Sequence, residues 1–129
     1  MMRHSTLTSP LPHFHVMVNL NPLKDEVIAL AVVTSNISGR RARAAAFGQP
    51  PETIVDFGPA DYPVLDHPSC IDCNDVKRMR ASDLDRAVNA RPSISRPDLP
   101  ASVLDRVVVG ILASSRVAED IKALVRPTS

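Results

Sequence analysis

The 129-residue chain has no tryptophan, one tyrosine and three phenylalanines, so aromatic residues make up only 3%. Its core must therefore be aliphatic, built from Val, Ile, Leu and Ala. No apolar run reaches the roughly eighteen residues that a membrane-spanning helix needs, so none is expected. The opening residues "MMRHSTLTSPLPHF" contain no apolar h-region and do not read as a signal peptide. Cysteine occurs twice, at Cys70 and Cys73, too few for a disulfide framework. GxSxG, P-loop, HExxH and GxGxxG motifs are absent, as is any internal repeat. A net charge of +1 directs the chain as a whole toward neither nucleic acid nor membrane. The expectation is a cytoplasmic protein with free thiols and no membrane partner.

What is present points to one domain over residues 1–129, since 44% of residues are apolar. The charge is uneven. Residues 1–50 carry five basic side chains against two acidic ones, whereas residues 51–129 carry ten against twelve. A local basic patch is thus compatible with a neutral whole.

Residues 1–12 read as loose. In "HFHVMVNL" (His13 to Leu20) Phe14, Val16, Val18 and Leu20 alternate with His13, His15, Met17 and Asn19, the period of a half-buried strand with histidines on its polar face. "VIALAVVTS" (Val27 to Ser35) suits a strand buried on both faces, and the two form a hairpin. The Gly and Pro flanking "RRARAAAF" favour a loop over residues 36–52, with at most one or two helical turns. "TIVDF" is a short strand, and "SCIDCNDVKRM" is one bent strand or two short ones. A helix capped near Ser82 and Asp83, a polar Pro-rich link (92–100), and two further helices complete the chain. Ser102 is the expected cap of the next helix, with Leu104, Val107, Val108, Ile111 and Leu112 as its apolar stripe. The last helix runs from Arg116 to Val125. Strands followed by helices make the fold α+β, with residues 13–80 as a barrel or sheet and 81–129 as a helical tail.

Cys70 and Cys73 have CxxC spacing, but on a strand residues three apart face opposite ways, which argues against a redox pair. No second CxxC completes a zinc site. His13 and His15 share a strand face, and with Asp66 and His67 they offer metal-ligand chemistry, although nothing in the sequence brings the two pairs together. Imidazole also titrates near neutrality, which suits acid–base work. Arg40, Arg41 and Arg43 are either a solvated group or a set of phosphate contacts, because guanidinium matches phosphate geometry. Thr34 and Ser35 close a buried strand, where hydroxyls bond local backbone or orient a phosphate.

Read in order, "HFHVMVNLNP", "VIALAVVTSN", "TIVDFGPADYPVLDHPSCIDCNDVKRM" and "LPASVLDRVVVGILASS" resemble a divergent branch of the PemK/MazF-like toxins, over about residues 13–125. The resemblance implies a small antiparallel SH3-like β-barrel of about five strands with C-terminal helices. It implies a homodimer, a cognate antitoxin, and metal-independent cleavage of single-stranded RNA with no cofactor. Thr34 falls where the family has its catalytic Thr. The family's catalytic Arg and its Gly-Asp first strand have no counterpart; His13 and His15 stand at the place of the Arg, and Tyr62 replaces a His. His13, His15 and Thr34 are accordingly the expected catalytic residues, with Ser35, Arg40, Arg41, Arg43, Asp61 and His67 as RNA contacts and no metal. The CcdB-like gyrase poisons share the barrel, so the alternative is a non-catalytic interaction protein or a protein-targeting toxin.

Overall fold

A computed structural model describes residues 5–7, 14–19, 25–63, 65–90 and 95–126. The fold is α+β, an antiparallel sheet with four helices. The strands are β1 (Ser5–Leu7), β2 (Phe14–Met17), β3 (Val27–Thr34), β4 (Ile54–Phe57), β5 (Ser69–Arg80) and β6 (Ser95–Asp98). The helices are α1 (Ile37–Ala46), α2 (Ala81–Ala90), α3 (Ala101–Ala113) and α4 (Glu119–Val125). The spatial order is β4-β5-β3-β2-β1-β6, six strands among the described residues where about five are expected from sequence.

The expected hairpin forms, with Phe14 opposite Val33 and Met17 opposite Leu30. Asn19 locks it: its side-chain amide donates to the Val27 carbonyl and to Asp25, and its oxygen accepts from the Ala29 amide at 2.7 Å. β3 is buried along nearly its whole length because both faces of the sheet are covered. On one face Val16, Val18, Ala29, Ala31, Val33, Val55 and Ile71 pack against Val103, Val107 and Ile111 of α3 and Val117, Ile121 and Val125 of α4. On the other, Met17, Ile28 and Leu30 lie under Leu84 of α2, while Ile54 and Cys70 lie under Ala44 of α1. The result is three layers with the sheet in the middle.

Several expectations need correction. Part of the supposedly loose N-terminus pairs as β1, and part of the Pro-rich link pairs as β6. Residues 36–52 are mainly helix rather than loop. Asn36 caps α1 by accepting from the Gly39 amide at 3.2 Å, and Gly48, at φ 69°, ends it in the left-handed region. α3 starts at Ala101 after Pro100, without a side-chain cap from Ser102. Its buried stripe is Val103, Val107, Gly110 and Ile111, rotated from the expected one. The rotation follows from Gly110: a Cβ there would lie 2.6 Å from the Glu52 carbonyl oxygen and 2.8 Å from Cys73 Sγ, so the bare glycine face takes the closest approach. α4 starts at Glu119, three residues later than expected.

β5 is one strand with an interruption. Val76 pairs with Ala31 and Asp72 with Val32, so Cys73, Asn74 and Asp75 stand outside the β3–β5 ladder as a three-residue bulge. The Asn74 amide closes it by donating to Asp72 Oδ1 at 2.9 Å.

Candidate functional site: the α1 face and its cleft

Strand register brings distant residues into rows beneath α1. Thr34, Cys70 and Asp56 lie side by side on β3, β5 and β4. His15, Val32, Asp72 and Ile54 form the next row. α1 lies over these rows and lowers two arginines onto their carboxylates. Arg40 donates from Nη1 to Asp72 at 3.1 Å and to Asp75 at 3.0 Å. Arg41 pairs with Asp56. The Arg40 group is largely enclosed, with 15% of its side chain exposed, whereas the Arg41–Asp56 pair is half-exposed.

The enclosed group is electrostatically balanced. Burial opposes the charge on Arg40, but the hydrogen bonds to Asp75 and Asp72 prevail and raise its pKa. Burial likewise pushes the Asp75 carboxyl up, yet hydrogen bonds from Lys77 and Arg40 outweigh it and hold the group below its ordinary value. The bulge also ties the sheet to the helices. Asn74 donates to Thr53 Oγ1 at 3.0 Å and accepts from Ser114 Oγ at 2.6 Å.

Arg43 differs from its two neighbours. It forms no ion pair among the described residues, and it lines a cleft of about 110 Å³ with Ala44, Phe47, Asp72, Asn74, Asp75 and Arg116. Arg116 lies over the Phe47 ring, its guanidinium carbon 4.0 Å from the centroid. Phe47 is nevertheless 51% exposed. An exposed aromatic ring next to two arginines is a surface suited to a base and a phosphate.

The expected residues are distributed as follows. His13 lies outside the described residues. His15 is on the α2 side of β2 and is only 2% exposed, because that face is covered rather than polar and open. Thr34 is partly buried at the end of β3, and its hydroxyl accepts from the Asn36 amide at 3.2 Å. Ser35 is exposed beside it. His15 and Thr34 share a sheet face, diagonal neighbours about 7–8 Å apart in ordinary sheet geometry. Asp61 and His67 are exposed in the turn between β4 and β5, where Asp61 accepts from the Gly58 amide at 3.1 Å and the His67 carbonyl accepts from Ser69. That turn is anchored by Tyr62, buried against Phe57.

The thiols face different layers, Cys70 toward α1 and Cys73 toward α3. Burial, with Asp72 and Asp56 nearby, pushes Cys70 up to about 11, and burial raises Cys73 as well, so both are neutral thiols at physiological pH. Among the described residues no group of three or more His, Cys, Asp or Glu side chains is arranged to hold a metal ion.

The sequence reading missed Phe47, Asp56, Asp72, Asn74, Asp75 and Arg116. One signal was available. Arg40, Arg43, Ala44 and Phe47 fall at i, i+3, i+4 and i+7, a single stripe once residues 37–46 are taken as helix. Comparison with known proteins adds no relative: no family model matches the chain, and no curated protein matches it.

Proposed function

We propose that the protein is a non-catalytic, toxin-like interaction protein whose ligand is single-stranded RNA. The observation that carries this reading is the division of labour among the α1 arginines. Arg40 and Arg41 are held by Asp72, Asp75 and Asp56, while Arg43 has no such partner among the described residues and lines the cleft beside Phe47. Among the described residues, the acid–base groups that RNA cleavage needs are poorly placed for it. His15 is enclosed, and the Asp56 carboxylate is engaged with Arg41. Thr34 and Asp56 stand two strands apart, about 10 Å from backbone to backbone at ordinary strand spacing, too far to share one phosphate through short side chains.

The second reading is the metal-independent endoribonuclease. It is favoured by Thr34 at an open strand end, in one row with Asp56 and close to a half-exposed Arg41. In that chemistry the 2′-hydroxyl attacks the phosphorus, a base takes its proton, an acid protonates the departing 5′-oxygen, and a cation offsets the charge of the phosphorane. One experiment separates the two. End-labelled single-stranded RNA is incubated with the protein in EDTA and resolved on native and denaturing gels. The expected result is retarded but intact RNA. Fragments ending in 2′,3′-cyclic phosphate, lost in a Thr34→Ala/Arg41→Ala variant, would replace the first reading with the second.

The SH3-like barrel belongs to this proposal too: the sheet order fits a barrel opened between its edges β4 and β6. The homodimer and the cognate antitoxin implied by the resemblance are proposed for the β4 edge. There Val109, 58% exposed, adjoins a groove of about 270 Å³ with Ile54, Val55, Glu52, Asp105 and Arg106. No helix among the described residues is long and apolar enough to cross a membrane.

A further inference from the structure

We infer that the α1 cleft is a one-nucleotide subsite, with a phosphate held between Arg43 and Arg116 and the attached base stacked on the exposed part of Phe47. This inference rests on the RNA-directed reading and gives it a binding mode. At about 110 Å³ the cleft has room for a phosphate group. The base is assigned to the surface beside it, where Phe47 is half-exposed and offers a flat apolar face.

The charge of the cleft suits an anion in spite of its acidic members. Asp72 and Asp75 both line it, but Arg40 bonds to both and Lys77 pairs with Asp75 at 3.0 Å. Their negative charge is thus met within the protein, and among the described residues Arg43 and Arg116 are the cleft's uncompensated pair. Arg116 is placed for such a contact, because its guanidinium carbon lies 4.0 Å over the Phe47 ring at the cleft wall, and a guanidinium so held can donate to a phosphate oxygen. Its position is fixed further by its own backbone, since the Arg116 amide donates to Ser114 Oγ at 3.2 Å, and Ser114 is bound to Asn74 of the bulge. Cleft wall and ring therefore belong to one hydrogen-bonded unit. Stacking of a base on an aromatic ring does not depend on which base it is, so the subsite holds RNA with little sequence preference.

The test is fluorescence anisotropy with a labelled ten-nucleotide RNA and the full chain, over a range of salt concentrations. Phe47→Ala is expected to weaken binding about 5- to 150-fold, the range of one lost base stack, and Phe47→Tyr to restore it. Arg43→Gln and Arg116→Gln are each expected to weaken binding and to lower the slope of log affinity against log salt by about 0.7, one phosphate contact on a single strand. An abasic strand of equal length is expected to bind the wild type as weakly as the intact strand binds Phe47→Ala. Because these side chains are exposed, circular dichroism melting curves are expected to match wild type within a few degrees. If wild type binds RNA and the three variants bind equally well, the subsite is refuted while the RNA-directed reading stands. If wild type binds no RNA, both are refuted. If the abasic strand binds like the intact one, the stacking role of Phe47 is refuted.

Discussion

At Asp75 burial and hydrogen bonding pull in opposite directions, and the hydrogen bonds win. A carboxyl whose folded pKa is lowered stabilises the fold above its ordinary value of about 3.9 and loses that contribution as pH falls through the lowered value. Removing the charge should therefore matter at neutral pH and cease to matter in acid. Asp75→Asn is expected to lower unfolding free energy at pH 7 by about 1.5–3 kcal/mol, the range for a hydrogen bond to a charged group. Urea unfolding of wild type and variant from pH 7 to pH 2 should show curves that converge below about pH 4. Parallel curves over the whole range would show that Asp75 contributes packing rather than charge. The carboxylates that receive Arg40 and Arg41 are the part of the site the sequence hides. Arginines at 40 and 41 are easily noticed, but their partners at 56, 72 and 75 are set by the pairing of β4 and β5, which no local pattern reveals. His15 misleads for the same reason. Alternation places it opposite Val16 correctly, yet the covering of that side by α2 depends on chain 69 residues away at Leu84.

Gly110 governs how α3 meets the sheet. Alanine is the better helix former by about 1 kcal/mol, so Gly110→Ala would stabilise an exposed helix. Here the new Cβ would sit 2.6 Å from a backbone carbonyl, which cannot swing aside as a side chain can. Overpacking typically costs 1–3 kcal/mol, so a net destabilisation of about 0–2 kcal/mol is expected in urea unfolding. A stabilised Gly110→Ala protein would mean that α3 shifts freely over β5. The long elements were legible in the sequence: the hairpin, β4, β5 and the three C-terminal helices all follow from apolar period. α1 was not, because Gly39 near its start looks like a breaker, whereas it sits under the Asn36 cap where a larger residue would collide with that side chain. β6 was not, because Ser95–Asp98 has no alternation and contains Pro97. An edge strand tolerates proline, and this one is defined by its pairing with β1 alone.

The described residues share one main core, between one face of the sheet and helices α3 and α4, with two smaller clusters on the other face under α2 and α1. Tyr62, the only tyrosine, is buried in the same cluster as α3, α4 and the centre of the sheet, and there is no tryptophan to compete with its emission. Its fluorescence should therefore report the same event as far-ultraviolet circular dichroism, with thermal midpoints that coincide as a two-state domain requires. A tyrosine transition well below the dichroism transition would show that the β4–β5 turn detaches before the layers separate. The bulge in β5 has a consequence for the strand as a whole. Before it, Cys70 and Asp72 share a face with α1; after it, Lys77 and Met79 stand on that same face, Met79 packing with Leu84 of α2. Even numbers give way to odd ones, so Cys73, Asn74 and Asp75 act as a shift of phase. Excising these three residues as a block would bring Asp72 next to Val76, already opposite Val32 and Ala31, and no later side chain would change sides. The frame of the sheet and the polar knot at Asn74 are thus separable, and a descendant could lose the knot and its cleft while keeping every strand in place.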